Sequence, residues 1–162
     1  MLIAIVSDTH LPRGARVMPA RCVELMRRAD LILHAGDFVA AEVLDRLEAL
    51  GPPVTGVHGN MDSPDLRRRL PAQATVRAEG ASIAVVHDAG PSNGRLKRLR
   101  RRFPDVDAVV FGHSHLPLVA QSEGFQILNP GSPTERRRAP SHTMALGHVE
   151  AGSLEFELIQ LE

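Results

Sequence analysis

Five times along this chain a short aliphatic run stops abruptly at side chains able to bind a metal ion. Residues 2–6 lead into Ser7-Asp8-Thr9-His10, 31–33 into His34-Ala35-Gly36-Asp37, and 54–57 into His58-Gly59-Asn60. Residues 83–86 lead into His87-Asp88, and 108–111 into Gly112-His113-Ser114-His115. Near-continuous apolar runs of this length are the mark of strands buried on both faces. The segments between them read as helices. Residues 19–29 open with Pro19, and 40–50 carry Val43, Leu44, Leu47 and Leu50 on one face before stopping at Gly51-Pro52-Pro53. A third helix is expected over about 93–103, ending before Pro104, and a short one after Ser63-Pro64. Strand–helix alternation predicts parallel strands in an α/β domain.

The last third changes character. Residues 116–121, 125–128, 143–149 and 154–161 read as strands, with tight turns at Glu123-Gly124 and Ala151-Gly152. These are expected to be antiparallel. The fold predicted is α/β, two mixed sheets stacked together and flanked by helices, in a single domain over 1–162 with no linker.

Ligands bind beyond the carboxyl ends of the strands in open α/β sheets. If the five runs are parallel neighbours, Asp8, His10, Asp37, Asn60, His87, His113 and His115 converge there. In Asp8-x-His10 and His113-x-His115, a spacing of two in an extended segment turns both side chains to the same side. Gly36, Gly59 and Gly112 precede ligand candidates, where a backbone close to a metal benefits from lacking a Cβ. Two Asp, one Asn and four His suit Mn²⁺, Fe²⁺, Co²⁺, Ni²⁺ or Zn²⁺ better than calcium or copper(I). Seven ligands exceed what one such ion takes and suit two. A pair of divalent ions attracts phosphate and acidifies a bridging water, which points to metal-dependent hydrolysis.

Composition narrows the partners. The 19 basic and 19 acidic residues cancel, there is no Trp or Tyr, and five Phe offer little for base stacking, so a nucleic-acid partner is disfavoured. No apolar stretch is long enough to cross a bilayer, and the first residues form a strand with no basic leader, so a cytoplasmic location is expected. Cys22 is the only cysteine, which excludes an intrachain disulfide and four-thiolate zinc or iron–sulfur sites. Exposed edge strands in so small a protein make a homodimer reasonable.

The blocks Ser-Asp-Thr-His at 7–10, Gly-Asp at 36–37, Gly-Asn at 59–60, His87, Gly-His-Ser-His at 112–115 and Asn-Pro-Gly-Ser at 129–132 resemble the calcineurin-like metallophosphoesterase superfamily, in particular its small prokaryotic phosphodiesterases. The resemblance spans nearly the whole chain. It implies a four-layer α/β/β/α sandwich with a dinuclear centre of two divalent ions, manganese first, with nickel, cobalt, iron or zinc as alternatives. On that pattern Asp8, His10 and His115 hold one ion, Asn60, His87 and His113 the other, and Asp37 bridges them. Asn60, Asp37 and His113 are the expected catalytic residues, with a metal-bridging hydroxide attacking a small phosphodiester. Asn60 and Arg136 are the candidate substrate contacts.

Two positions depart from the pattern. Many superfamily phosphatases have a proton-donating His after the motif Asn; this chain has Met61. Asp88 stands where Gly usually follows the motif His, and would either bind metal or weaken phosphate affinity. His34 and His58 are expected behind the ligands rather than among them, and Asp62 either orients a ligand or caps the helix that follows. The alternative functions are a phosphomonoesterase or nucleotidase on the same site, and a non-catalytic protein-binding scaffold.

Overall fold

The computed structural model describes residues 1–161. In chain order it contains β1 (Leu2–Val6), α1 (Ala20–Arg28), β2 (Leu31–His34), α2 (Ala41–Glu48), β3 (Val54–Gly56), α3 (Pro64–Arg69), β4 (Gln73–Ala78), β5 (Ala81–Val86), α4 (Arg95–Arg102), β6 (Ala108–Val110), β7 (Leu118–Ser122), β8 (Phe125–Asn129), β9 (His142–Glu150) and β10 (Ser153–Leu161). The strands form two five-stranded sheets, β10-β9-β1-β2-β3 and β4-β5-β6-β8-β7. In the first, β1, β2 and β3 are parallel, with Val6 opposite His34 and His34 opposite Gly56, and β9 and β10 close one edge antiparallel.

Alternation along each strand divides the core into layers. Ile3 and Ile5 of β1 join Ile83 and Val85 of β5 and Val110 of β6 in one cluster between the sheets. Ala4 and Val6 face the other way, onto Cys22, Leu25 and Met26 of α1, Val43, Leu44 and Leu47 of α2, and Leu66 of α3. On the far side, Ala84, Val86 and Val109 meet Leu99 of α4 with Phe103, Phe111 and Phe125. The result is the expected α/β/β/α sandwich, and it explains why the first runs show no polar alternation: both faces of those strands are covered. No helix among the described residues is long and apolar enough to cross a membrane.

Three expectations are corrected. The five apolar runs are not all neighbours: three lie in the first sheet and two in the second, so the polar ends converge across the gap between sheets. β8 is antiparallel to β7 alone; on its other side it pairs parallel with β6, Val110 opposite Leu128, leaving only β4 and β7 antiparallel at the edges. Loop 130–141 carries the chain from β8 back to the first sheet, a crossover that strand runs alone do not reveal. β4 is a strand the sequence does not announce, because its inward residues are only Ala74, Val76 and Ala78, too small to produce a strong apolar signal.

The start of α3 follows its local chemistry. Ser63 caps α3, its hydroxyl accepting from the Leu66 amide at 3.3 Å, with Pro64 at the first helical position. Asp62 is therefore free to bond elsewhere.

Candidate metal centre

The loops that leave β1, β2, β5 and β6 and the segment after β3 meet at one end of the sandwich. Backbone pairing begins the assembly: the Asp8 amide donates to the Gly36 carbonyl at 2.9 Å, His10 to Asp37 at 3.0 Å, and Gly112 to His87 at 3.0 Å. The Asn129-Pro130-Gly131-Ser132 loop pins these segments from behind. Asn129 Nδ2 donates to the Gly112 carbonyl at 2.9 Å and to Ser114 Oγ at 3.0 Å, and Ser132 Oγ donates to the Asp8 carbonyl at 2.8 Å. Asp62 is an orienting residue. Its carboxylate accepts from the amides of Asp37 (3.1 Å), Val39 (2.7 Å) and Gly59 (2.7 Å), tying the second and third loops together.

The ligand-bearing backbone is not extended, which corrects the spacing argument. Asp8, His10, Asp37, His113 and His115 all have positive φ, between 44° and 68°. A left-handed residue reverses the direction in which its side chain leaves the chain, so the loops curl over the strand ends. Such conformations cost of order 1 kcal/mol or more each in a non-glycine residue, and they persist only where surrounding bonds over-determine them. Glycine is required between them. A Cβ on Gly59 would overlap the Asp37 carboxylate, and one on Gly112 would overlap the Ser7 hydroxyl.

All seven expected ligands meet here. On one side, His115 Nε2 lies 3.3 Å from Asp8 Oδ1 and 3.2 Å from His10 Nε2. On the other, Asn60 Oδ1 lies 3.1 Å from His87 Nε2 and 3.0 Å from His113 Nδ1. Asp37 Oδ2 stands between the groups, 3.6 Å from His10 Nε2 and 3.3 Å from His87 Nε2. Asp8, His10, Asp37, His87 and His115 are buried, whereas Asn60 and His113 are exposed, so the site opens to solvent on that side.

The donor set fits divalent ions on two observations. His87 Nδ1 donates to the Ala35 carbonyl at 2.7 Å and His115 Nδ1 to the Glu135 carbonyl, so neutral rings would aim Nε2 lone pairs at carboxylate oxygens and at one another. A divalent cation placed among them would pair these lone pairs. In addition, Asp8 Oδ1, fully buried, has no hydrogen-bond partner. Oxygen and imidazole in this mixture match Mn²⁺, Fe²⁺, Co²⁺, Ni²⁺ or Zn²⁺. The electrostatics agree. Burial alone would raise the carboxyl of Asp8, but His10 and His115 outweigh it and hold the group far below the usual range. Asp37 is likewise lowered, burial being overcome by His87 and by the Met61 amide, which donates to Oδ1 at 2.8 Å. Burial works against a charge on His87, yet Asp37 and Asp8 raise its pKa. Both carboxylates are thus kept anionic, ready for a cation.

The surrounding residues sort cleanly. His34 is buried against the Phe38 ring, accepts from the Gly36 amide at Nδ1 (3.1 Å) and meets Thr9 Oγ1 at Nε2 (3.1 Å). It supports the loops and does not point to the cluster. Asp88 is exposed, with Oδ1 accepting from the Gly90 amide at 2.7 Å. Met61 contributes its backbone amide. Arg136 Nη1 is engaged by the carbonyls of Ala139 (3.3 Å) and Pro140 (3.2 Å), and nothing brings it to the seven ligands. Sequence reasoning does not find two further groups. Ser7 Oγ donates to Asp8 Oδ2 at 2.6 Å, and Glu135 places Oε2 3.7 Å from His10 Nε2 while Arg16 holds Oε1 at 2.7 Å. The block Ser-Asp-Thr-His is a signal for Ser7, but nothing near Glu135 links it to residue 10.

The profile of the "Calcineurin-like phosphoesterase superfamily domain" matches residues 1–152. A protein of Methanothermobacter thermautotrophicus named "Probable metallophosphoesterase" is 33% identical over 162 residues, covering 99% of this chain and 92% of the relative. One from Methanocaldococcus jannaschii with the same description is 36% identical over 165 residues, covering 100% and 82%. Among solved structures, Vps29 of Entamoeba histolytica complexed with Zn²⁺ superposes with a TM-score of 0.80 at 22% identity, over 99% of both chains, a likeness of fold. The ordered metal-ligand blocks, the sandwich that gathers them and these matches agree that the chain belongs to the calcineurin-like phosphoesterase superfamily.

Proposed function

We propose that this protein is a dinuclear-metal phosphodiesterase acting on small phosphodiesters. The observation that carries the reading is the position of Asp37, whose one carboxylate oxygen lies within 3.6 Å of imidazole nitrogens on both sides of the cluster. Asp8, His10 and His115 would hold one divalent ion and Asn60, His87 and His113 the other. Bound there, the ions would supply charge for the phosphoryl oxygens and lower the pKa of water at the site.

The chain's own groups then divide the remaining work. Burial of Asp8, His10 and His115 keeps bulk water from the inner ion site, while the exposed edges of Asn60 and His113 meet substrate. The Asn60 amide nitrogen is a donor for a phosphoryl oxygen, since its Oδ1 faces the two histidines. No side chain at position 61 can protonate the departing oxygen, so the enzyme relies on leaving groups stable as anions or on water. That favours activated esters over esters of ordinary alcohols; a general acid is commonly worth about 10²–10⁴-fold.

The test compares a chromogenic bis-aryl phosphate with the matching monoester, using metal-stripped protein with Mn²⁺, Ni²⁺, Co²⁺ or Zn²⁺ restored. Metal-dependent turnover favouring the diester, abolished in a folded Asp37→Ala variant, is expected. Turnover that survives Asp37→Ala overturns the mechanism. A second reading, a protein-binding scaffold, draws on the likeness to Vps29. Metal binding without turnover of either ester would favour it.

A further inference from the structure

The exposed edge of the centre opens into a cleft of about 340 Å³ that continues past Asn60 and His113 and is lined by His58, Arg67, Asp88 and Arg102. Its charge is unbalanced. Arg67 spends its bonds on neutral acceptors, the carbonyls of Asn60 (2.9 Å) and Asp62 (3.2 Å). Arg102 does the same, with Nη2 on the side-chain carbonyl of Gln73 at 3.1 Å and its guanidinium 4.9 Å from the Phe103 ring centre. No carboxylate pairs with either arginine among the described residues, whereas Arg16, Arg21, Arg28, Arg68 and Arg69 each have at least one. Two uncompensated guanidinium charges therefore stand against the single carboxylate of Asp88, whose Oδ1 is held by the Gly90 amide.

The cleft also lacks a large aromatic surface. Its apolar lining is Ala72 and Val86, and no Phe reaches it. A base would find no ring except imidazole to stack on. The volume is at the small end of ligand pockets, and a short chain fits within it.

Resting on the phosphoester reading above, we propose that this cleft receives the ester arm that stays on phosphorus while the other departs, and that this retained arm is a short aliphatic alcohol bearing its own anionic group, a carboxylate or a second phosphate. Arg102 is the specificity-determining residue that binds that group. Arg67 acts differently, clamping the backbone on both sides of Met61 and so positioning Asn60. Arg102 is pre-arranged for its role because Gln73 and Phe103 hold the guanidinium plane, leaving other N–H donors for an anion.

Binding tests this separately from turnover. Metal-loaded protein is titrated calorimetrically with propylphosphonate and with 3-phosphonopropionate, which share the phosphonate and the three-carbon chain and differ in whether it ends in a methyl or a carboxylate. The wild type should bind 3-phosphonopropionate at least about tenfold more tightly, as a hydrogen-bonded charge pair requires. Arg102→Gln should reduce that ratio to within about threefold of unity, with manganese stoichiometry unchanged. Equal affinities in the wild type, or a preference untouched by Arg102→Gln, overturn the proposal. Loss of bis-aryl diester hydrolysis alongside an intact, Arg102-dependent preference would refute the phosphodiesterase reading and leave the anion subsite standing.

Discussion

Asp62 is not among the seven candidate metal ligands, yet its removal should damage the centre more than most surface changes around it. Its two oxygens serve three backbone donors, half-buried Val39 on Oδ1 and buried Asp37 and Gly59 on Oδ2. Substitution by alanine orphans all three. A buried donor left unsatisfied costs about 1–3 kcal/mol, and water entering the small cavity recovers part of that, so Asp62→Ala should cost roughly 3–5 kcal/mol. Asp62→Asn keeps one acceptor oxygen. Placed at the Oδ2 position it preserves two bonds and turns its amide group toward the Val39 N–H, for a loss of about 1–3 kcal/mol. Local strain adds to the effect. Asp37 has φ 60° and Val39 φ 88°, an unfavourable value for a β-branched residue, and the amides Asp62 holds belong to those same residues. Once released, the turn relaxes and Asp37 leaves its place between the two groups of imidazoles. Loss of a residue that orients metal ligands commonly costs about 10–100-fold in metal affinity. Urea unfolding of the metal-free protein measures the first quantity and calorimetric titration with Mn²⁺ the second. An Asp62→Ala protein within about 1 kcal/mol of wild type by the first and within about threefold by the second would refute this account.

Two further outcomes follow from the same packing. Gly112→Ala puts a methyl onto the Ser7 hydroxyl and 2.5 Å from Asp8 Oδ2, so it should lower stability by about 1–3 kcal/mol and weaken Mn²⁺ binding at least about tenfold, read by thermal unfolding and calorimetry. His34 is fully buried and desolvation holds its pKa down to about 3, below the 6.5 of an unfolded chain. The folded state therefore keeps this contribution above about pH 6.5 and loses it as pH falls toward 3, at up to about 1.4 kcal/mol per pH unit. Urea titrations at about pH 7.5 and about pH 5 should show a wild-type decline that His34→Gln lacks, and equal declines in the two proteins would exclude the burial argument.

How much of this was legible from sequence depends on the kind of constraint. The parallel strands announced themselves because covering both faces leaves no polar alternation; Ile3 with Ile5 and Ala4 with Val6 serve different layers, yet all four must be apolar. The gathering of seven candidate donors at one end was legible because each donor type has few uses at a buried strand end. Asn60, beside Gly59 and Met61, became a candidate through its company rather than its own chemistry. What stayed hidden was relational. β8 follows a hairpin from β7, and only the tertiary choice to place it beside β6 gives it a parallel neighbour. Glu135 meets Arg16 across 119 positions, a pairing no local pattern encodes.

The positive φ values expose a deeper limit of pattern reading. Spacing of two is the signature of an extended segment, and here it leads to the right convergence through the wrong backbone. Asp8 and His10, and again His113 and His115, alternate with residues of ordinary conformation and curl the chain over the strand end. An extended segment would carry both side chains of a pair to one side and on one line. In the curled form, His113 turns outward to Asn60 while His115 turns inward to Asp8, so one four-residue block serves both groups of ligands. That division needs the glycine before His113, the Asn129 amide behind it and the Asp8 carboxylate accepting its backbone N–H at 3.0 Å. Asp8 thus acts in two places, since Oδ2 secures the loop that carries His113 while buried Oδ1 is left free for a cation. A change at Asp8 should therefore disturb both groups of ligands at once, whereas a change at His113 should disturb only the outer one.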